Sequence, residues 1–178
     1  MIETGQLAPS ISQMTDQGQF TVSEHIGKNV IIFFFPKADT SGCTKEAIAF
    51  SALQAEFEAA NTLVIGISKD KTEKQAKFRE KHNLTCLLGA DVEGDVCEAF
   101  GVWVEKSMYG RRHMGVQRST FVIDANGKVA AVWPNAKVDG HAAEGRRRRR
   151  DGLGRRGGRA ARVEGEHDAA VVGACRQD

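Results

Sequence analysis

From Asn29 to Pro36 the chain carries an unbroken apolar run, Val30 to Phe35, closed by a proline. No face of such a strand is polar, so it must be covered on both sides, the situation of a strand inside a largely parallel sheet. Thr62 to Ser68 is a second run of this kind. Between them Ala47, Ile48, Phe50, Leu53, Phe57 and Ala60 recur at spacings of three and four, which predicts an amphipathic helix over Thr44 to Ala60. Strand, crossover helix and strand make a right-handed βαβ unit.

The remaining pattern extends this sheet. Thr72-Glu73-Lys74-Gln75 has the form of a capping box and opens a helix reaching about His82. A shorter strand near Cys86 to Gly89 and a helical turn from Asp95 to Phe100 follow. Ser119 to Asp124 and Lys128 to Trp133 flank Ala125-Asn126-Gly127, and Asn-Gly between apolar runs predicts a tight hairpin. Ser10 to Met14 and Gln19 to Val22, around Asp16-Gln17-Gly18, predict another small hairpin. The expected fold class is α/β, a mixed sheet with its parallel centre first and a hairpin last.

With 178 residues, 41% apolar and 27% charged, the chain has enough material for one ordinary core. Its longest apolar run is far short of the roughly 18 to 20 residues that cross a bilayer, so no membrane span is expected. The first ten residues lack a basic and apolar leader, and we expect a cytoplasmic protein. The four cysteines, at 43, 86, 97 and 175, form no CxxC pair, and the five histidines form no HxxxH or HExxH. Neither a disulfide framework, a metal site nor any other cofactor is expected.

The net charge of +2 conceals a partition. Residues 1 to 144 hold 15 Lys and Arg against 18 Asp and Glu, whereas residues 145 to 178 hold 10 Arg against 5 acids. The second part contains five consecutive arginines, Arg146 to Arg150, and seven glycines, with no apolar periodicity. We therefore expect one domain over residues 1 to 144 and a disordered Arg/Gly-rich tail over 145 to 178. Gly152 to Gly157 spells GxGxxG, but it follows an arginine run rather than a strand and has no nucleotide-binding context. The polycation is read as an incidental charge block, without a specific nucleic-acid or membrane partner.

The chemistry lies in Pro36-Lys37-Ala38-Asp39-Thr40-Ser41-Gly42-Cys43, which leaves the first buried strand and enters the long helix. A cysteine in a first helical turn sits among unpaired N–H groups at the positive end of the macrodipole, where a thiolate is favoured over a thiol. Moving any thiol down by two pKa units takes about 3 kcal/mol. A helix terminus supplies only about 0.3 to 1 kcal/mol, so a second positive charge is required. Thr40 can aim its hydroxyl across the same turn, toward the sulfur or an incoming oxygen. Pro36 ends the strand without an N–H and fixes the approach of the loop.

Pro36, Thr40 and Cys43 spell Pro-x-x-x-Thr-x-x-Cys, which resembles the active-site motif of the peroxiredoxins. Phe34-Phe35-Pro36-Lys37, Gly42 to Ala47, Gly66-Ile67-Ser68-Lys69-Asp70, Phe100-Gly101-Val102-Trp103 and Arg118-Ser119-Thr120-Phe121-Val122-Ile123-Asp124 resemble the bacterioferritin comigratory protein (BCP/PrxQ) subfamily. The resemblance covers about residues 5 to 144. It implies a thioredoxin-like fold and thiol-dependent reduction of hydrogen peroxide and organic hydroperoxides, with thioredoxin or a similar thiol as reductant. It also implies that Arg118 sits beside the reactive sulfur and supplies the missing charge. The expected catalytic residues are Cys43, Thr40, Arg118 and Pro36, in a monomer or homodimer that protects the cell against peroxide.

Two positions depart from the subfamily. Where many members carry a resolving cysteine five residues after the first, this chain has Ile48, and Glu73 to His82 contains none. Cys86 and Cys97 remain as candidate resolvers, although each lies in or beside an apolar segment where a free thiol is usually inert. The alternative is a one-cysteine cycle or an intermolecular bridge. Val138 to Glu144 resembles the entry to the family's C-terminal helix, yet Gly145 and the arginine run follow where apolar residues would continue. Alanine, arginine and glycine codons of GC-rich DNA interconvert on a one-base shift, so the tail is read as an out-of-frame segment. A thiol-disulfide oxidoreductase on the same fold is the competing function, and it lacks the second nearby cysteine that such exchange needs. Trp103, Tyr109 and Trp133 are read as packing residues.

Overall fold

The apolar run becomes strand β3, Asn29–Phe34, in which every residue from Val30 onward is buried. Its alternating side chains feed two clusters, as a strand covered on both faces must. Ile31, Phe33 and, just past the strand, Phe35 pack with Cys43, Ala47, Phe50, Phe57 and Phe78, while Val30, Ile32 and Phe34 pack with Val96, Cys97, Phe100 and Phe121 on the other face. Phe33 stacks on Phe50 with ring centroids 4.5 Å apart, and Phe34 meets Phe100 at 5.2 Å. Each such ring contributes about 1.5–3 kcal/mol on burial. These positions are those of a computed structural model that describes residues 1–144, so the expectations for the tail lie outside the described residues.

The strands run β1 (Ser12–Thr15), β2 (Gly18–Thr21), β3, β4 (Thr62–Ser68), β5 (Leu87–Ala90), β6 (Trp103–Met108), β7 (Arg111–Val116), β8 (Ser119–Ile123) and β9 (Val129–Pro134). Seven of them form one sheet in the order β2-β1-β5-β4-β3-β8-β9. Strands β3, β4 and β5 are parallel, and β8 joins β3 antiparallel. This is the mixed, thioredoxin-like sheet that the resemblance implies. Helices α1 (Ser41–Ala52), α2 (Gln54–Ala59) and α3 (Thr72–His82) cover one face, and α4 (Asp95–Ala99) contributes to the other. Among the described residues no helix is long and apolar enough to cross a membrane.

Several boundaries differ from the sequence reading for local reasons. The helix expected over Thr44 to Ala60 starts three residues earlier and breaks at Leu53. Leu53 donates its N–H to Phe50 O while its own carbonyl accepts from Glu56 and Phe57, so one residue ends α1 and opens α2 with its side chain still in the core. No capping box forms at Thr72. Lys71 is the N-cap, and the buried Gln75 amide donates to Ser68 Oγ and Gly89 O, both at 2.9 Å, tying α3 to β4 and β5. Hairpin β8–β9 closes through a longer turn in which Asp124 Oδ1 accepts from the N–H groups of Asn126 and Lys128 at 2.9 Å.

The hairpin β6–β7 was not expected from the sequence. Its turn is Tyr109-Gly110, with φ of 52° and 75°, the two positive values of a type I′ connection. Tyr109 is 98% exposed, so it is not the packing residue its type suggested. Trp103 and Trp133 do pack against the core.

Gly66 on β4 shows how tightly the sheet face is filled. A Cβ there would stand 2.4 Å from Cζ of Phe33, a ring already held by Phe50 and Phe35. Overpacking of a filled core costs about 1–3 kcal/mol. Gly66→Ala is expected to lose that much unfolding free energy in urea titration, and an unchanged midpoint would contradict this account of the packing.

Candidate active site

The pairing of β3 with β8 determines where the site forms. Phe34, the last residue of β3, lies opposite Ser119, the first of β8, so the residue before Ser119 stands beside the point where the chain leaves the sheet for α1. That residue is Arg118, its backbone further held by Ala136 N–H donating to its carbonyl at 3.0 Å. The chain leaves β3 through Phe35, whose N–H still donates to Ile67 O. Pro36, without an N–H, ends the pairing. Thr40 is the N-cap of α1 in extended geometry, and Cys43 is the third residue of the helix.

Three side chains meet at that helix start. Arg118 Nη2 donates to Cys43 Sγ at 3.2 Å, and Arg118 Nη1 donates to Glu46 Oε2 in an ion pair. Cys43 is 1% exposed. Gly42 lies alongside: a Cβ there would stand in ordinary contact with Arg118 Nη2, at 3.4 Å. Burial works against the guanidinium's charge, but Glu46 and Cys43 outweigh it and the group stays protonated. Thr40 sits at the expected place, with its hydroxyl donating to Lys37 O at 3.0 Å inside the loop rather than to the sulfur.

Glu46 was missed by sequence reasoning, though its position three residues after Cys43 puts it on the same helix face. Burial pushes its carboxyl up to about 7, with Arg118 opposing the shift. Its Oε1 is buried without a hydrogen-bond partner among the described residues. Lys106 is a second missed residue: its chain lies against Gly115, and its Nζ donates to Val116 O at 2.5 Å. Burial and then the charge of Arg118 lower its pKa, while Cys43 raises it.

The candidate resolvers are held elsewhere. Cys97 belongs to the cluster on the sheet face opposite Cys43, and burial pushes its thiol up strongly. Cys86 shares the cluster of Cys43, but burial raises its thiol to about 11 and Ser51 Oγ donates to its sulfur at 3.6 Å. All three described cysteines are free. Ile48 is partly exposed on α1. No cluster of three or more metal-ligating side chains exists among the described residues.

Fold and site together define a thioredoxin-like protein built around one buried cysteine at a helix start with an arginine on its sulfur. Residues 4–132 match the AhpC/TSA family, to which the chain belongs. The Bcp peroxiredoxin of Bacillus subtilis is 42% identical over 144 residues, spanning 80% of this chain and 92% of that protein. The Bcp peroxiredoxin of Escherichia coli K12 is 39% identical over 141 residues, 79% of this chain and 90% of its own length. The solved structure of the Xanthomonas campestris bacterioferritin comigratory protein, studied for alkyl peroxide reduction, superposes with a TM-score of 0.75 at 34% identity, covering 80% of this chain and 92% of that one. The chain is thus a peroxiredoxin of the Bcp (PrxQ) type, a thiol peroxidase.

The raised Glu46 pKa has a stability consequence whose sign is fixed. Folded Glu46 titrates near pH 7 and the unfolded group near 4.5, so its contribution is full below about 4.5 and is lost as pH rises through 7. His141, drawn down to about 4 by burial and by Arg118 against the pull of Glu144, contributes the opposite way, losing its share as pH falls through 4. Only a difference between variants separates the two. Relative to the wild type, Glu46→Gln is expected to gain unfolding free energy between pH 4.5 and 7, on the order of 3 kcal/mol. A flat difference in denaturant titrations across that window would contradict the shift.

Proposed function

We propose that Cys43 is the peroxidatic nucleophile and that Arg118 is the charge that activates it. The observation that carries this reading is the 3.2 Å bond from Arg118 Nη2 to Cys43 Sγ at the start of α1. The helix N-terminus and the guanidinium both favour negative charge at the sulfur. The thiolate attacks one oxygen of hydrogen peroxide or of an organic hydroperoxide. An S–O bond forms as the O–O bond breaks, sulfur is oxidised to sulfenate, and the leaving oxygen departs as water or alcohol once protonated. Arg118 donates hydrogen bonds to the negative charge spreading over the two oxygens. Thr40 holds the N-cap position of the helix that carries Cys43, its hydroxyl tied to Lys37 O, and Pro36 fixes the loop leading to it.

Regeneration runs through an external thiol, with Cys86 and Cys97 as spectators. A thiol condenses with the sulfenic acid, releasing water and forming a mixed disulfide. A second thiol then displaces Cys43 as thiolate and leaves as the disulfide product. The burial and raised thiol pKa of Cys86 and the opposite-face position of Cys97 support this one-cysteine cycle. The reading puts the chain in a reducing cytoplasm with thioredoxin or a similar thiol as electron donor.

Peroxide consumption with dithiothreitol as reductant tests the assignment. Cys43→Ser is expected to abolish turnover, and Arg118→Met to lower kcat/KM for hydrogen peroxide by about 10²–10³-fold. Activity that survives Cys43→Ser would overturn the reading. Under the one-cysteine cycle, one equivalent of peroxide leaves a dimedone-reactive sulfenic acid on Cys43 in the pure protein, and a Cys43–Cys86 or Cys43–Cys97 disulfide in the mass spectrum would contradict it.

A further inference from the structure

The hairpin β6–β7 stands apart from the seven-stranded sheet, and its turn lies in solvent. Tyr109 holds a left-handed backbone, φ 52°, at a turn position that asparagine, aspartate or glycine adopts far more readily. A bulky ring 98% exposed on a strained turn serves neither the packing nor the turn, and such strain collects at functional positions. Met108 beside it is 58% exposed. Strand pairing sorts the remaining side chains onto two faces. Met108 lies opposite Arg111 and Lys106 opposite His113, so these four share one face. Glu105, Ser107, Arg112 and Met114 share the other, where Arg112 pairs with Glu105 at 3.6 Å. The first face thus carries Lys106, Arg111 and His113 with no carboxylate of the hairpin among them, on a body whose residues 1 to 144 hold more acids than bases. It is continuous with the site: Lys106 Nζ donates to Val116 O at 2.5 Å, two residues before Arg118, and its ammonium feels the charges of both Arg118 and Cys43.

The size of the patch limits what can occupy it. A covered tyrosine buries about 150–250 Å², so Tyr109 with the half-exposed Met108 falls well short of the roughly 800 Å² per partner of a stable interface. An aromatic anchor among cations suits a brief encounter in which the charges steer an acidic partner into place. The chemistry of Cys43 calls for such an encounter at every turnover, because a thiol must return the oxidised sulfur. We propose that the hairpin face of Lys106, Met108, Arg111 and His113, anchored by Tyr109, is the docking surface for a protein dithiol that reduces Cys43 and presents acidic groups around an apolar contact. The first thiol of that partner condenses with the sulfenic acid and releases water. Its second thiol displaces Cys43 as thiolate, and the partner leaves as its own disulfide. This rests on the peroxidase reading of Cys43 and adds to it the surface that receives the electron donor.

In the full chain, turnover of hydrogen peroxide is measured twice: with an acidic thioredoxin kept reduced by its reductase and NADPH, and with dithiothreitol, which needs no docking surface. Tyr109→Asn removes the ring while giving the turn the Asn-Gly pair it favours, and Arg111→Glu reverses a charge on the docking face. Each is expected to raise KM for thioredoxin by about five- to tenfold, the scale of an anchor residue in an interface, and to leave turnover with dithiothreitol unchanged. Arg112→Glu, on the opposite face, is expected to leave both unchanged. An unchanged KM in Tyr109→Asn and Arg111→Glu, an equal rise in Arg112→Glu, or no turnover with thioredoxin in a wild type active with dithiothreitol would overturn the docking surface. A wild-type dimer that Tyr109→Asn disperses in sedimentation would give the face to a second copy and overturn it as well. Full activity with dithiothreitol in Cys43→Ser would instead remove the reading beneath it.

Discussion

The guanidinium of Arg118, shared between the sulfur of Cys43 and the carboxylate of Glu46, is the interaction on which the site depends. It brings an obligate cation into a pocket where a buried thiol would otherwise be an ordinary core residue. Everything nearby serves that approach. The antiparallel register of β8 on β3 delivers Arg118 to the end of the strand from which the loop departs. Glu46 compensates its charge from the same helix that carries Cys43.

Burial sets the balance of energies. An unpaired carboxylate at 1% exposure is costly, and the rise of Glu46 to about 7 records that cost against the attraction of Arg118. The same exclusion of water strengthens the hydrogen bond from Arg118 to sulfur, since electrostatic interactions grow as the local dielectric falls. The stack of Phe33 and Phe35 with Phe50 of α1 therefore does more than stabilise the sheet. It keeps the first turn of α1 seated where the helix terminus and the guanidinium act on one atom.

The fold and the centre of the site were largely legible in the sequence, because the signals were local and strong. An all-apolar run with a terminal proline, a periodic helix and a second run located β3, α1 and β4, and the motif around Cys43 pointed to the helix start where Arg118 meets its sulfur. What escaped depended on context. Leu53 breaks the long helix without glycine or proline, because its core position is kept by a change of hydrogen-bond partners. Tyr109-Gly110 turns a hairpin that asparagine or aspartate would have announced. Gln75 looked like part of a cap, but its side chain is drawn to Gly89 O and Ser68 Oγ once the sheet exists. Arg118 could be assigned to Cys43 only by resemblance, since 75 residues separate them in sequence and only the sheet register joins them. Glu46 was visible as a residue, but its partnership with Arg118, just before β8, was not.

Alkylation isolates the proposed activation of the Cys43 sulfur by Arg118 from peroxide chemistry. The rate of Cys43 modification by iodoacetamide at neutral pH, compared between the wild type and Arg118→Met, measures it directly. A variant slower by at least about tenfold, the consequence of losing a charge-assisted hydrogen bond to the sulfur, is the predicted result. Equal rates in two folded proteins would contradict the account.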